Sequence, residues 1–406
     1  MTPQTFTLPN GLRIVWQHKA SPVVYCGYVI AAGTRHEEPK DLGMAHFLEH
    51  MSFKGTARRR AYHINNYLER VGGDLNAFTN KLETVYHATV LKKDFARAAD
   101  ILTDIVFHSQ YPQHEIEREV EVICDEIDSY KDSPSELIFD EFEAMLFEGH
   151  PLGRDVLGSK RRLREYSTSD ARRFAERYYR APLATFFVYG DVSFASVKRY
   201  VQRLTADLDG SPVCLTPQPL PPYRPQERTV HRDTHQAHVM LGARAVGGRD
   251  ERRFALSLLN NILGGPGMNS RLTASLRERA GLVYTADSYL FAYPDTGVWE
   301  VYFGCDKKDV ARCLRMVRRE IERLIEKPLS AAALAAAKKQ LVGQMGIGAD
   351  NNENYALTLG KTFAHFGVVY DPEETARRIN ALTAEDLQRA AAEFFSPSRL
   401  TTLVYC

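Results

Sequence analysis

Apolar residues recur at two spacings along this chain of 406 residues. In the first half, short runs rich in β-branched and aromatic residues predict strands over 12–17, 23–32, 75–79 and 84–91. Apolar positions three and four apart predict helices over 42–53, 95–108, 115–130, 136–147 and 169–179. The second half repeats the theme. A strand over 238–245 precedes helices over 252–263 and 270–279, strands over 283–291 and 298–304, several long helices and a final strand. Antiparallel hairpins followed by helix runs predict an α+β fold: two homologous domains, each an antiparallel-rich sheet packed with helices.

The boundary between them is written in proline. SPVCLTPQPLPPYRPQ begins at Ser211, and prolines at this density block both helix and sheet ladder. The expected division is a domain at 1–210, a linker at 211–228 and a second domain at 229–406. The halves also look alike. TSDARRFAERYYRAPLATFFVYG and TAEDLQRAAAEFFSPSRLTTLVYC superpose so that Tyr178-Tyr179 meets Phe394-Phe395 and Val188-Tyr189 meets Val404-Tyr405. Each reads as helix, Pro-containing turn and strand, which predicts duplication of one unit.

Composition narrows the chemistry. Hydrophobic residues at 44% and charged residues at 25% are ordinary for a globular chain. A net charge of +1, with no basic patch interleaved with aromatics, argues against nucleic acid or an anionic membrane as partner. The start has no basic and apolar leader, and no apolar run is long enough to span a bilayer, which predicts a cytoplasmic protein. The six cysteines include no CxxC pair, so they read as free core thiols of a reducing compartment. Any bound metal must then rely on His and carboxylate.

Those ligands are present in GMAHFLEHMSFKGT, Gly43 to Thr56. On a helix His46, Glu49 and His50 share one face, and two imidazoles one turn apart reach one zinc ion. Glu49 lies between them, placed to act as general base. The rest of this helix is apolar, so the polar face is buried, and burying it without a partner is costly. A third ligand is sought on another core-facing helix. In EIEREVEVICDEIDSY, Glu119 and Glu126 both flank the stripe Ile116, Val120, Ile123 and Ile127. Periodicity alone leaves open which of the two binds metal and which orients a ligand from behind.

With its inverted HxxEH motif, the AHFLEHMSFKGT string resembles the pitrilysin/insulinase family of zinc peptidases, the inverzincins, and most closely their mitochondrial-processing-peptidase-like branch. The resemblance implies one Zn2+ per chain held by His46, His50 and Glu126, with Glu119 as an accessory catalytic glutamate. Asp125 stands where the family often has a second Glu. GGDLNAFT, Gly72 to Thr79, resembles the family's active-site edge strand, whose Asn76, Ala77 and Phe78 would pair with substrate. GGPGMNSRLTASLRERAGLVYTADS resembles a second signature, in which Arg277 and Tyr284 contact substrate carbonyls. Its glycines lack the GK[ST] ending of a phosphate loop.

The implied activity is that of a zinc metalloendopeptidase acting on short or unfolded peptides in a dimeric chamber. A homodimer would be self-sufficient, because one chain carries both the zinc motif and the Arg/Tyr pair. A heterodimer with an inactive relative, a non-catalytic structural role, and a metal-dependent hydrolase of a non-peptide substrate are the alternatives. The acid-rich segment from Glu115 to Glu148 suits basic peptides or, equally, a solvated helix face.

Overall fold

The computed structural model describes residues 3–216 and 218–406. Five strands of the first sheet come from the first half: β2 (Arg13–Gln17), β3 (Val23–Ile30), β4 (Asp74–Thr79), β5 (Thr84–Leu91) and β6 (Ala184–Tyr189), with β1 (Gln4–Thr7) added at one edge. The second sheet holds β7 (Glu227–Val230), β8 (Ala237–Ala245), β9 (Val283–Ala292), β10 (Gly297–Cys305) and β11 (Thr401–Tyr405). The first runs in the order β1-β2-β6-β3-β5-β4 and the second in the order β7-β11-β8-β10-β9. Apart from β1 the two orders are the same, strand for strand. Both contain one parallel pair, β2 with β6 and β7 with β11, among antiparallel neighbours. The repeat is visible in local chemistry too. The helices Thr168–Tyr178 and Ala384–Phe394 both start with a capping box, Ser167 with Asp170 and Thr383 with Asp386.

The compact units are not contiguous. The first comprises residues up to Ser129, Arg154–Pro219 and Gly348–Tyr370; the second comprises Tyr130–Gly153, Leu220–Ile347 and Asp371–Cys406. They differ from the expected division at 1–210 and 229–406 because two helices have changed places. Helix Asn352–Phe366, from the second half, lays Tyr355, Ala356, Leu359 and Phe363 on Val15, Val29, Val85 and Phe187 of the first sheet. Gly360 permits the approach, since a Cβ there would meet the Phe187 ring at 2.5 Å. Helix Pro134–Leu146, from the first half, lays Ile138, Phe142 and Met145 on Met240, Val298 and Leu403 of the second sheet. Each large side chain buried this way contributes about 1.5–3 kcal/mol. An amphipathic helix records that it has an apolar face, not which sheet it covers.

Most expected elements lie within two residues of their place. Three departures matter. The helix expected over 270–279 is π-helical at Thr273–Arg279. Strand β7 starts at Glu227, inside the expected linker, whose preceding described residues form no helix or strand; Pro217 lies outside the described residues. All six cysteines are free thiols, but Cys214 is exposed rather than in a core. No helix among the described residues is long and apolar enough to cross a membrane.

Candidate metal centre and active site

Helix Met44–Ser52 packs against β4 and β5, with all but His50 of its residues buried. Its start is fixed in two ways. Gly43 has φ +84°, and a Cβ there would meet the Leu157 carbonyl oxygen at 2.8 Å, so glycine is required. The buried Glu37 carboxylate accepts hydrogen bonds from the Gly43 and Ala45 backbone N–H groups, both at 2.9 Å, and so satisfies donors that the helix end leaves open.

From this helix His46 and His50 project together, their ring centroids 4.6 Å apart. Helix Gln113–Lys131 brings Glu126 to them. Its Oε1 lies 3.8 Å from His46 Nε2 and its Oε2 lies 3.7 Å from His50 Nε2. One ligand atom from each of the three residues falls within 4.8 Å of the others. Donors bonded to a tetrahedral zinc at about 2.0–2.1 Å stand about 3.4 Å apart, so a small inward movement closes the set. The donor chemistry suits zinc: two imidazoles and one carboxylate, with room for a fourth position. His46 adds a second argument. It is buried and makes no hydrogen bond among the described residues, so its Nε2, which faces Glu126, is not engaged elsewhere. Burial, and then His50, push its pKa down to about 3, which keeps the ring neutral and its lone pair open to a cation.

Glu119 stands two helical turns earlier. Its Oε1 is 2.9 Å from His50 Nδ1, and its Oε2 is 2.5 Å from Lys54 Nζ. Burial alone would raise this carboxyl, but the hydrogen bonds from His50 and Lys54 prevail and hold it below the usual carboxylate range. An anion on Nδ1 directs the His50 lone pair to Nε2, the nitrogen that faces Glu126. The two glutamates left open by periodicity thus occupy opposite sides of one imidazole.

Glu49 is buried and accepts a 2.5 Å hydrogen bond from the Thr79 hydroxyl at Oε2. Burial raises its carboxyl above the usual range despite that bond. Sequence reasoning assigned no role to Thr79 or Lys54. Both stand in the quoted motif strings, yet each meets its glutamate only through tertiary approach.

The remaining expected residues are placed as follows. Asn76, Ala77 and Phe78 lie on β4, which pairs with β5 alone and is an edge of the first sheet. Asn76 is exposed. In the second unit Arg277 sits on the π-helical turn and Tyr284 on β9, the edge strand that corresponds to β4. Tyr284 is 82% exposed, so no core packing accounts for it.

Fold and donor set define a class, and comparison with known proteins agrees. Residues 13–160, which contain the whole donor set, match the family described as Insulinase (Peptidase family M16). Residues 166–341 match the family described as Peptidase M16 inactive domain. A Bacillus subtilis protein named an uncharacterized zinc protease, YmxG, is 30% identical over 98% of this chain and 97% of its own length. A Streptomyces coelicolor protein, also named an uncharacterized zinc protease, is 33% identical over 97% of this chain and 87% of its own. A protease from Helicobacter pylori shares the fold with a TM-score of 0.93 at 23% identity, covering 100% of this chain and 99% of that one. A peptidase M16 inactive domain from Pseudomonas fluorescens shares it at 0.92 and 20%, covering 100% and 98%. The chain belongs to the pitrilysin/insulinase (M16) family of zinc peptidases.

Proposed function

We propose that the chain is a zinc metalloendopeptidase that hydrolyses peptide bonds in short or unfolded peptides within a dimeric chamber. The observation that carries this reading is the convergence of His46, His50 and Glu126 beside a buried Glu49. Those three residues would hold a zinc ion, which when bound would supply Lewis-acid polarisation of the scissile carbonyl and a more acidic water. The chain's own groups do the rest. Glu49 takes a proton from the attacking water and returns it to the leaving amine, a double role suited to a carboxyl raised by burial. The Thr79 hydroxyl occupies Oε2 and leaves Oε1 for that proton. Glu119 and Lys54 hold the His50 tautomer. The open edge of β4 receives the peptide backbone by strand addition, with Asn76 contributing its side-chain amide.

Arg277 and Tyr284 are assigned to the developing oxyanion and the substrate backbone, reaching the zinc of a second copy in a homodimer. The exposed tyrosine supports this. A non-catalytic partner subunit is the alternative, and retention of all four motif residues weighs against it.

Cleavage of a quenched fluorescent peptide library by the purified protein tests the reading. Activity is expected, abolished by a chelator and restored by zinc. A zinc-loaded protein that cleaves no peptide would favour the partner-subunit role. Thr79→Val gives a finer expectation. Removing one hydrogen bond to a carboxylate is worth about 1.5–3 kcal/mol. We therefore expect kcat to fall at least roughly tenfold, with KM and zinc content unchanged. Unchanged kcat would remove Thr79 from the mechanism.

A further inference from the structure

The second unit contains a cavity of about 810 Å³ that the peptidase reading does not use. One wall is formed by Asn269, Arg271 and Arg279, at the end of the glycine-rich stretch and along the π-helical turn. The other is formed by Arg319, Arg323 and Lys327, from the C-terminal half of helix Val310–Glu326 and the residue after it. Five cations line the space against three carboxylates, Glu320, Glu322 and Glu326, an excess of 5 − 3 = 2 positive charges.

Some of that charge has a local explanation. Arg323 is engaged by Glu320, its Nη1 donating to Oε1 at 2.6 Å. Lys327 follows a helix C-terminus, where a cation is favoured anyway. Arg271, Arg279 and Arg319 are not explained in this way. None makes a hydrogen bond or ion pair among the described residues, and Arg271 is part-buried. Burial lowers its pKa, with Glu320 opposing and Arg323 adding to that effect. A guanidinium withdrawn from water without hydrogen-bond partners is unfavourable, and a bound anion removes the penalty. The planar fork of arginine matches phosphate bidentately, and arginines from both segments line the space. The volume lies within the range of small-molecule sites, about 300–1,000 Å³. It exceeds what a bare phosphate fills.

We propose that this cavity binds a phosphomonoester, with Arg271 and Arg279 on one wall and Arg319 on the other gripping the phosphate and the remaining volume holding its organic body. The charge excess matches the dianion. The site shares no residue with the metal centre, and binding can be read whether or not the chain cleaves peptides.

The test is isothermal titration calorimetry on the zinc-loaded full chain with AMP, ribose 5-phosphate and orthophosphate, and with adenosine as the uncharged counterpart. Saturable one-to-one binding is expected for a phosphomonoester and none for adenosine. Arg271→Gln is expected to weaken it at least about tenfold, as is the double variant Arg279→Gln/Arg319→Gln. The double variant changes only exposed side chains, so it remains informative should Arg271→Gln fold poorly. Preference for AMP over ribose 5-phosphate identifies a nucleotide, and the reverse a sugar phosphate. Equal binding of orthophosphate leaves the organic body without a role and overturns that part. Absence of saturable binding, equal binding by the double variant, or loss of binding in His50→Ala, which would place the anion at the zinc, overturns the whole.

Discussion

Glu49→Gln is expected to retain zinc and to lose turnover by roughly 10²–10⁴-fold, the usual contribution of a positioned general base. The substitution is isosteric, and the Thr79 hydroxyl can still donate to the amide oxygen as it donates to Oε2 now. The side chain therefore keeps its place while losing its basicity. None of the three proposed metal ligands is touched, so zinc content should match the parent protein. Steady-state kinetics on a quenched peptide, with metal analysis on the same preparation, checks both halves of the expectation. Near-normal kcat in the variant would remove Glu49 as the base, and loss of zinc would mean that Glu49 is itself a ligand.

The second large effect is at His50. His50→Ala removes one donor of three and the contact that ties Glu119 to the centre. Zinc binding of about 10–16 kcal/mol over the four ligands of a structural site implies about 2.5–4 kcal/mol for each ligand. We therefore expect affinity to fall by roughly 10²–10³-fold, and zinc to be lost on dialysis. Glu119 keeps its ion pair with Lys54, so the Gln113–Lys131 helix retains its seat and the fold should survive. Circular dichroism and metal analysis separate the two outcomes. A folded variant that still holds one zinc per chain would place the metal elsewhere.

The reach of sequence reasoning followed the range of the interactions involved. His46, Glu49 and His50 lie within five residues on one helix, so helical period alone aligns them. The third ligand was harder. Glu119 and Glu126 share a stripe two turns apart, and only tertiary approach shows that one faces His50 Nδ1 and the other His50 Nε2. Thr79 and Lys54 gave no signal, because a threonine in a strand and a lysine after a helix are unremarkable until the glutamates they meet are placed. The duplication was legible in the paired helix–turn–strand segments and is matched by the common strand order. The exchange of helices Pro134–Leu146 and Asn352–Phe366 was not, since apolar faces of similar width fit either sheet. The π-helical form of Thr273–Arg279 also escaped, because one extra residue per turn barely alters an apolar pattern over seven residues.

Everything proposed for the reaction depends on a zinc ion between two rings of one helix and a carboxylate of another. Diffraction from crystals of the purified, zinc-supplemented protein, recorded above and below the zinc absorption edge, addresses this most directly. The account predicts one anomalous peak per chain, about 2.0–2.2 Å from His46 Nε2, His50 Nε2 and a Glu126 carboxylate oxygen. A peak at other ligands, or none while those three side chains are ordered, would contradict it.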